Sequence, residues 1–209
     1  VLLYLVRHGE TDWNKQRRIQ GMTDIPLNET GRQQAARTGR LLSAREWDAV
    51  ITSPLSRAFE TGSIIAAELG LPTPTTNDKL VERNYGEAEG LDFAELHRLF
   101  PEDAPVPGRE KRSAVASRAV EALLQIAEEH PGEAVIVVSH GGLIRSVLRR
   151  LDPEAEYGMI TNGSVHSFRV EDGALRLIAF DDPIEAESIE GELLEGTDLR
   201  DQNALEART

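Results

Sequence analysis

The sequence predicts a three-layer α/β/α sandwich, with a mixed, mostly parallel sheet and helices on both faces. Three observations carry this expectation. Residues 1–6 (VLLYLV), 48–52 (DAVIT) and 134–139 (AVIVVS) are short and almost continuously apolar, as strands buried on both faces are. Each is followed by a helix-length segment with apolar residues at helical spacing. Two further strand-like runs flank Glu171-Asp172-Gly173, a hairpin signal. Alternation of this kind makes a single α/β domain.

In chain order, residues 1–6 form the first strand, and 11–28 are a polar, turn-rich stretch. A helix over about 29–44 carries Ala35, Ala36, Leu41 and Leu42. Residues 48–52 are the second strand. Ser53 and Pro54 then read as an N-cap and a proline at the first helical position. That helix runs to about Leu69 and stops at Gly70. Residues 71–91 read as loop. Asp92 opens a short helix ending before Pro101, and 101–109 are a proline-rich loop. The longest helix, about 110–129, has a core stripe of Val115, Ala119, Leu123 and Ile126. Residues 134–139 are the third strand, 141–150 the next helix, and 165–170 with 174–180 the hairpin. No repeat or linker interrupts this order. Residues 1–180 therefore read as one domain, followed by an acidic tail at 181–209.

Composition narrows the function. The 209 residues carry a formal charge of −13, which argues against nucleic-acid or anionic-membrane partners. The tail holds ten Asp or Glu against two Arg, so the rest is only mildly acidic and has room for a positive pocket. There are no cysteines, which removes thiolate chemistry and disulfides and fits the cytoplasm. The opening VLLYLV lacks a basic flank and reads as a buried strand, not a secretory leader. Oligomeric state is not legible.

In such sheets, ligands bind beyond the carboxyl ends of the strands. The first strand ends in Arg7-His8-Gly9, the second leads into Ser53 and Arg57, and the third ends in Ser139-His140-Gly141-Gly142. Taken singly, each has an ordinary structural reading: a hydrogen-bonded histidine, a solvated arginine, a glycine turn. Together they place two histidines and two arginines at one edge, a set suited to phosphate. His97, His130 and His166 lack such context and read as helix-face, helix-end and strand residues.

The stretches Arg7-His8-Gly9-Glu10-Thr11 with Asn14, "QGMTDIPLNETGRQQA" from Gln20, "TSPLSRAFET" from Thr52, "ERNYGEAEGL" from Glu82 and "SHGGLIRSVL" from Ser139 jointly resemble the histidine phosphatase superfamily, also called phosphoglycerate-mutase-like. The resemblance spans about residues 1–150. It implies that fold and a small phosphorylated substrate. His8 would form a phosphohistidine, with Arg7, Arg57 and His140 on the phosphoryl oxygens and Glu82 as acid and base. A neutral imidazole suits attack on a phosphomonoester dianion, and nearby guanidiniums disfavour its protonation. Asn14, Gln20, Gly21, Tyr85 and Gly141 match substrate-binding or site-shaping positions. Gly9 is expected to give the backbone room to approach the phosphate, and Glu10 is not the acid. No metal or cofactor is implied.

The family holds hydrolases and mutases. Tyr85 is mutase-like, but Phe93 stands where the mutases have lysine, and only 57 residues separate Glu82 from His140, too few for the mutase insertion. Gly142 replaces a mutase asparagine. Hydrolysis is therefore expected, with a cofactor-primed mutase or a non-catalytic phospho-ligand binder as alternatives. "PVPGREKRSAVASR" matches a family segment at Pro107, Gly108, Glu110 and Arg118. Arg109 or Lys111 would meet a second anionic group on the substrate, or simply balance local acids. The tail is a solvated arm or a cover for the pocket mouth.

Overall fold

Strand β1 (Leu2–Arg7) is apolar throughout because it is covered twice. In the computed structural model, which describes residues 1–102 and 104–182, Leu3 and Leu5 enter one core while Tyr4 and Val6 enter another. Strand β4 (Ala134–Ser139) divides the same way, Val135 and Val137 against Ile136 and Val138. Adjacent side chains of a strand point to opposite faces, so a continuous apolar run needs a helix layer on each side. Helices α2 (Glu29–Leu42) and α3 (Ser56–Leu69) cover the Tyr4 side through Leu42, Ala58 and Ile65. Helices α5 (Arg112–Glu129) and α6 (Gly141–Leu151) cover the Leu3 side. The expected stripe Val115, Ala119, Leu123 and Ile126 is fully buried there.

With β2 (Ala49–Thr52), β3 (Thr75–Thr76), β5 (Val165–Glu171) and β6 (Ala174–Ala179), the sheet runs β3-β2-β4-β1-β5-β6. The first four are parallel, and β5 and β6 add an antiparallel edge. Asp172 and Gly173 both have positive φ in the hairpin turn, as a tight two-residue connection requires. Because β4 inserts between β1 and β2, the ends of all three chemically marked strands are neighbours. Arg7 lies opposite Ser139 in the β1–β4 ladder.

Four local expectations change. Ser53 does not cap α3: the N-cap is Leu55, with no side-chain hydrogen bond of its own. Asp24 from a distant loop instead accepts from the N–H and hydroxyl of Ser56, at 2.8 and 2.7 Å. Helix α5 begins at Arg112 rather than 110, because Glu110 pairs its backbone with Asn84. The two-residue strand β3 was too short to signal. So was α1 (Asp12–Lys15), a single turn closed by a Thr11–Asn14 capping box. The short helix α4 (Phe93–Leu99), N-capped by Asp92, forms as expected. No described helix is long and apolar enough to cross a membrane. The tail beyond residue 182 lies outside the described residues.

Gly9 carries a packing constraint. A Cβ there would stand 2.3 Å from the Gly31 carbonyl oxygen, and one on Gly31 would stand 2.1 Å from that of Glu10. Two facing glycines thus let the start of α2 rest directly on the turn after β1. Glu10 is occupied in the same contact, accepting from Asn28 at 2.9 Å.

Candidate active site

The floor of the site is built from strand ends. Arg7 is the last residue of β1, and its Nη1 donates to the Ile160 carbonyl at 2.6 Å. His8 follows, with its backbone N–H on Ser139 O at 3.0 Å. Its Nδ1 lies 2.7 Å from the Gly9 carbonyl. A carbonyl only accepts, so Nδ1 carries the proton and Nε2 keeps its lone pair. Burial, then Arg57, then Arg7 hold the imidazole well below its usual range and therefore neutral.

His140 follows β4 on the neighbouring strand. Its ring lies 5.2 Å from that of His8, and it is likewise kept neutral by burial and by Arg57. Arg57, in the first turn of α3, is fully buried and donates to the carbonyls of Gly21 and Thr23 at 2.7 and 2.9 Å. Desolvation lowers it to about 10, so it stays cationic near neutral pH. Three buried nitrogens, Asn14 Nδ2, Arg57 Nε and His140 Nδ1, have no hydrogen-bond partner among the described residues. Buried polar atoms are rarely left so, and an oxyanion supplies acceptors.

The mouth is built from loops. A small cavity is lined by Arg7, His8, Ile19, Gln20, Gly21, Arg57, Glu82 and Tyr85. Glu82, 5 % exposed, accepts the Arg83 N–H on one oxygen and the Gly142 N–H on the other, at 2.7 and 2.9 Å. Its carboxyl therefore rests at the N-terminus of α6, where negative charge is favoured. A Cβ on residue 142 would stand 2.6 Å from Oε1 of Glu82 and 2.7 Å from the Tyr85 hydroxyl. Gly142 is what lets them converge. Arg118 fixes the segment that delivers Glu82, donating to the carbonyls of Lys79, Val81 and Glu82 while pairing with Glu110 through two bonds. The loop at 21–23 is clamped by Glu89, whose carboxylate accepts from the N–H groups of Met22, Thr23 and Tyr85 and from the Thr23 hydroxyl.

The structure brings Arg7, His8, Arg57, Glu82, Gln20, Gly21 and Tyr85 around one cavity. His140 and Asn14 are buried beside it, Asn14 accepting from Asn162 at 3.3 Å. Gln20 accepts from the Thr11 hydroxyl at 2.7 Å. Gly141 starts α6 without lining the cavity; the neighbouring Gly142 makes the contact. Arg109 pairs its backbone with Tyr85 at the mouth, and Lys111 is exposed before α5. Sequence reasoning missed Thr61, which accepts from the Gly9 N–H, and Asn162, which donates to the His8 carbonyl. It also missed the roles of Ser53, Glu89 and Arg118. Among the described residues no group of His, Asp and Glu is arranged to hold a metal ion.

The family model for the histidine phosphatase superfamily (branch 1) matches residues 3–183, well past the 150 expected from the motifs. Phosphoglycerate mutase-like protein 4 of Arabidopsis thaliana is 41% identical over 184 residues, covering 82% of this chain and 80% of that protein. The metal-independent phosphoserine phosphatase of Arabidopsis thaliana is 37% identical over 182 residues, covering 81% and 76%. Mycobacterial glucosyl-3-phosphoglycerate phosphatase, solved with VO3, superposes with a TM-score of 0.77 at 28% identity, covering 86% of this chain and 98% of that one.

Proposed function

The chain belongs to the histidine phosphatase superfamily, and from that premise we propose that it is a metal-independent phosphomonoesterase. It hydrolyses a small phosphorylated metabolite through a phosphohistidine on His8. The observation that carries this reading is the state of His8: neutral, fixed by Gly9 with its lone pair on Nε2, and facing a cavity with two buried guanidiniums. An anionic nucleophile would be repelled by a phosphomonoester dianion; a neutral imidazole is not.

In the first step the Nε2 lone pair attacks phosphorus, the ester P–O bond breaks, and the leaving alkoxide takes the proton of Glu82. In the second, the Glu82 carboxylate takes a proton from water and the water oxygen attacks phosphorus. The P–N bond breaks, releasing inorganic phosphate and neutral His8. Arg7, Arg57 and His140 stabilise the equatorial oxygens in both steps. Glu82 is placed for both duties because its carboxyl borders the cavity and is held in one position by the Arg83 and Gly142 N–H groups.

Mutase chemistry is favoured by Tyr85 and by the mutase-like relative. Hydrolysis is favoured by the phosphatase relatives, Phe93 in place of lysine, and Gly142 in place of asparagine. On the substrate side, phosphoserine and glucosyl-3-phosphoglycerate, named for two relatives, carry a carboxylate beside the phosphoryl group. Arg109 or Lys111 would meet such a group. Removing that charge should raise KM for anionic metabolites and leave p-nitrophenyl phosphate unchanged; equal effects on both would refute it. A cysteine-free chain suits a cytoplasmic enzyme.

The deciding experiment is phosphate release over a metabolite panel, with and without EDTA, beside a 3-to-2-phosphoglycerate assay with 2,3-bisphosphoglycerate. Metal-independent release that vanishes in His8→Ala is expected. Undiminished turnover in that variant would refute the mechanism, and isomerisation faster than release would make the chain a mutase.

A further inference from the structure

Ser53 sits directly after β2, fully buried, and does not cap the helix that follows it. Its hydroxyl oxygen lies 2.8 Å from Nε2 of His140. The same oxygen accepts the Leu55 N–H at 3.3 Å. The hydroxyl keeps its proton for a second partner, and the His140 ring stands within its reach. We propose that Ser53 is a positioning residue of the phosphoryl site: it donates to Nε2 of His140 and so holds that ring in the Nδ1–H tautomer, as a hydrogen-bond donor to the transferred phosphoryl group.

The tautomer decides the sign of the interaction. Phosphoryl oxygens only accept hydrogen bonds. An Nδ1 that carries a proton attracts them, whereas an Nδ1 that presents a lone pair repels them. Nδ1 of His140 is buried and has no hydrogen-bond partner among the described residues, which leaves it for a ligand. The ring does not obtain its donor by becoming cationic, because burial and Arg57 oppose protonation. A neutral ring donates from Nδ1 only when Nε2 is unprotonated; a donor to Nε2 favours that tautomer, and Ser53 is the group placed to supply it. In the reverse arrangement, with Nε2–H donating to Ser53, the serine proton loses this partner and a lone pair faces the anion.

His8 and His140 then share one tautomer and use opposite ends of it. At His8 the Gly9 carbonyl holds the Nδ1 proton, and Nε2 attacks. At His140 the Ser53 hydroxyl holds the Nε2 lone pair, and Nδ1 donates. One set by an acceptor and the other by a donor, the two rings, 5.2 Å apart, become nucleophile and oxyanion partner.

This inference rests on the reading of the cavity as a phosphoryl site, but its first test needs no turnover. In ligand-free enzyme labelled with 15N-histidine, two-bond proton–nitrogen correlation should show His140 protonated at Nδ1 and unprotonated at Nε2. Ser53→Ala should shift the ring toward the Nε2–H form and weaken orthovanadate binding about tenfold or more, while Ser53→Thr restores both. In a His140→Ala background, Ser53→Ala should add almost nothing to the loss of vanadate affinity or kcat, because residues acting through one another are non-additive. A wild-type His140 in the Nε2–H form overturns the proposal even if Ser53→Ala fails to fold. So do additive losses in the double variant. Failure of the phosphatase reading would register separately, as turnover that survives His8→Ala with the tautomer as stated.

Discussion

The floor and the mouth of the pocket hold equally buried charged groups but are built by different means. Arg7, His8 and His140 end adjacent strands of a parallel ladder, and Arg57 opens a helix packed on that sheet. Their backbones are fixed by the bonds that make the fold. Glu82, Tyr85, Gln20 and Gly21 ride on loops, held by side-chain clamps: Arg118 on the segment 79–82 and Glu89 on 21–23 and 85. The lesson is that chemistry and selectivity have separate anchors. A change in the floor should cost rate on every substrate, whereas a change in the mouth should act unevenly among them.

The comparison is tested most severely at Arg57. Arg57→Ala should lower kcat/KM about a thousandfold for activated and unactivated phosphomonoesters alike; a substrate-selective loss would break the distinction. Glu82→Gln comes next. It should cost roughly 10²- to 10⁴-fold on alkyl phosphates, whose leaving group needs a proton, and far less on p-nitrophenyl phosphate in the first step. Burst kinetics with that ester should then reveal accumulated phosphoenzyme. Equal loss without a burst would remove Glu82 from the acid role.

Glu89→Ala should loosen the loop whose carbonyls orient Arg57. A ten- to hundredfold fall in kcat/KM is expected, since small misplacements near a reacting group cost about that much. Glu89→Gln, which keeps an acceptor oxygen, should recover most of it. A Glu89→Ala enzyme as active as wild type would show that the mouth needs no clamp.

A last effect falls on stability and leaves the rate aside. His8, His140 and His166 are all depressed below 6.5, His166 to about 3 by burial. Below pH 6.5 the unfolded chain therefore takes up protons that the folded one refuses, and acid destabilises. At pH 5 His166 alone contributes roughly 2 kcal/mol of this loss, and His8 and His140 act in the same direction. Asp181, raised to about 6 by burial, opposes it, because between pH 6 and 3.8 the folded protein holds a proton that the unfolded chain lacks. Urea midpoints should fall between pH 7.5 and 5. A flat profile would mean that the folded protein takes up as many protons over this range as the unfolded chain.

These regions also differed in how far they could be read from sequence. The floor was legible because residues 1–6, 48–52 and 134–139 declare buried parallel strands by apolarity alone, and whatever follows such strands meets at one edge. The mouth was not. Glu89 and Arg118 are charged residues in polar surroundings, and only their partners distinguish them from surface groups. Ser53-Pro54 looked like a helix start because capping is a local signal, whereas the group that caps α3 is Asp24, some thirty residues away in sequence. The packing of Gly9 was equally hidden, because the carbonyl it must clear belongs to Gly31 on another element.

The ladder that sets Arg7 opposite Ser139 also acts as a gauge. Neighbouring strands stand about 4.8 Å apart wherever peptides hydrogen-bond, so the separation of the His8 and His140 backbones is set by the sheet. Engineering or drift cannot stretch it without unzipping the sheet. Variation in what the enzyme accepts must accumulate at residues 19–23, 83–91 and 105–111, and a library confined to those segments should change substrates while leaving the reaction type untouched.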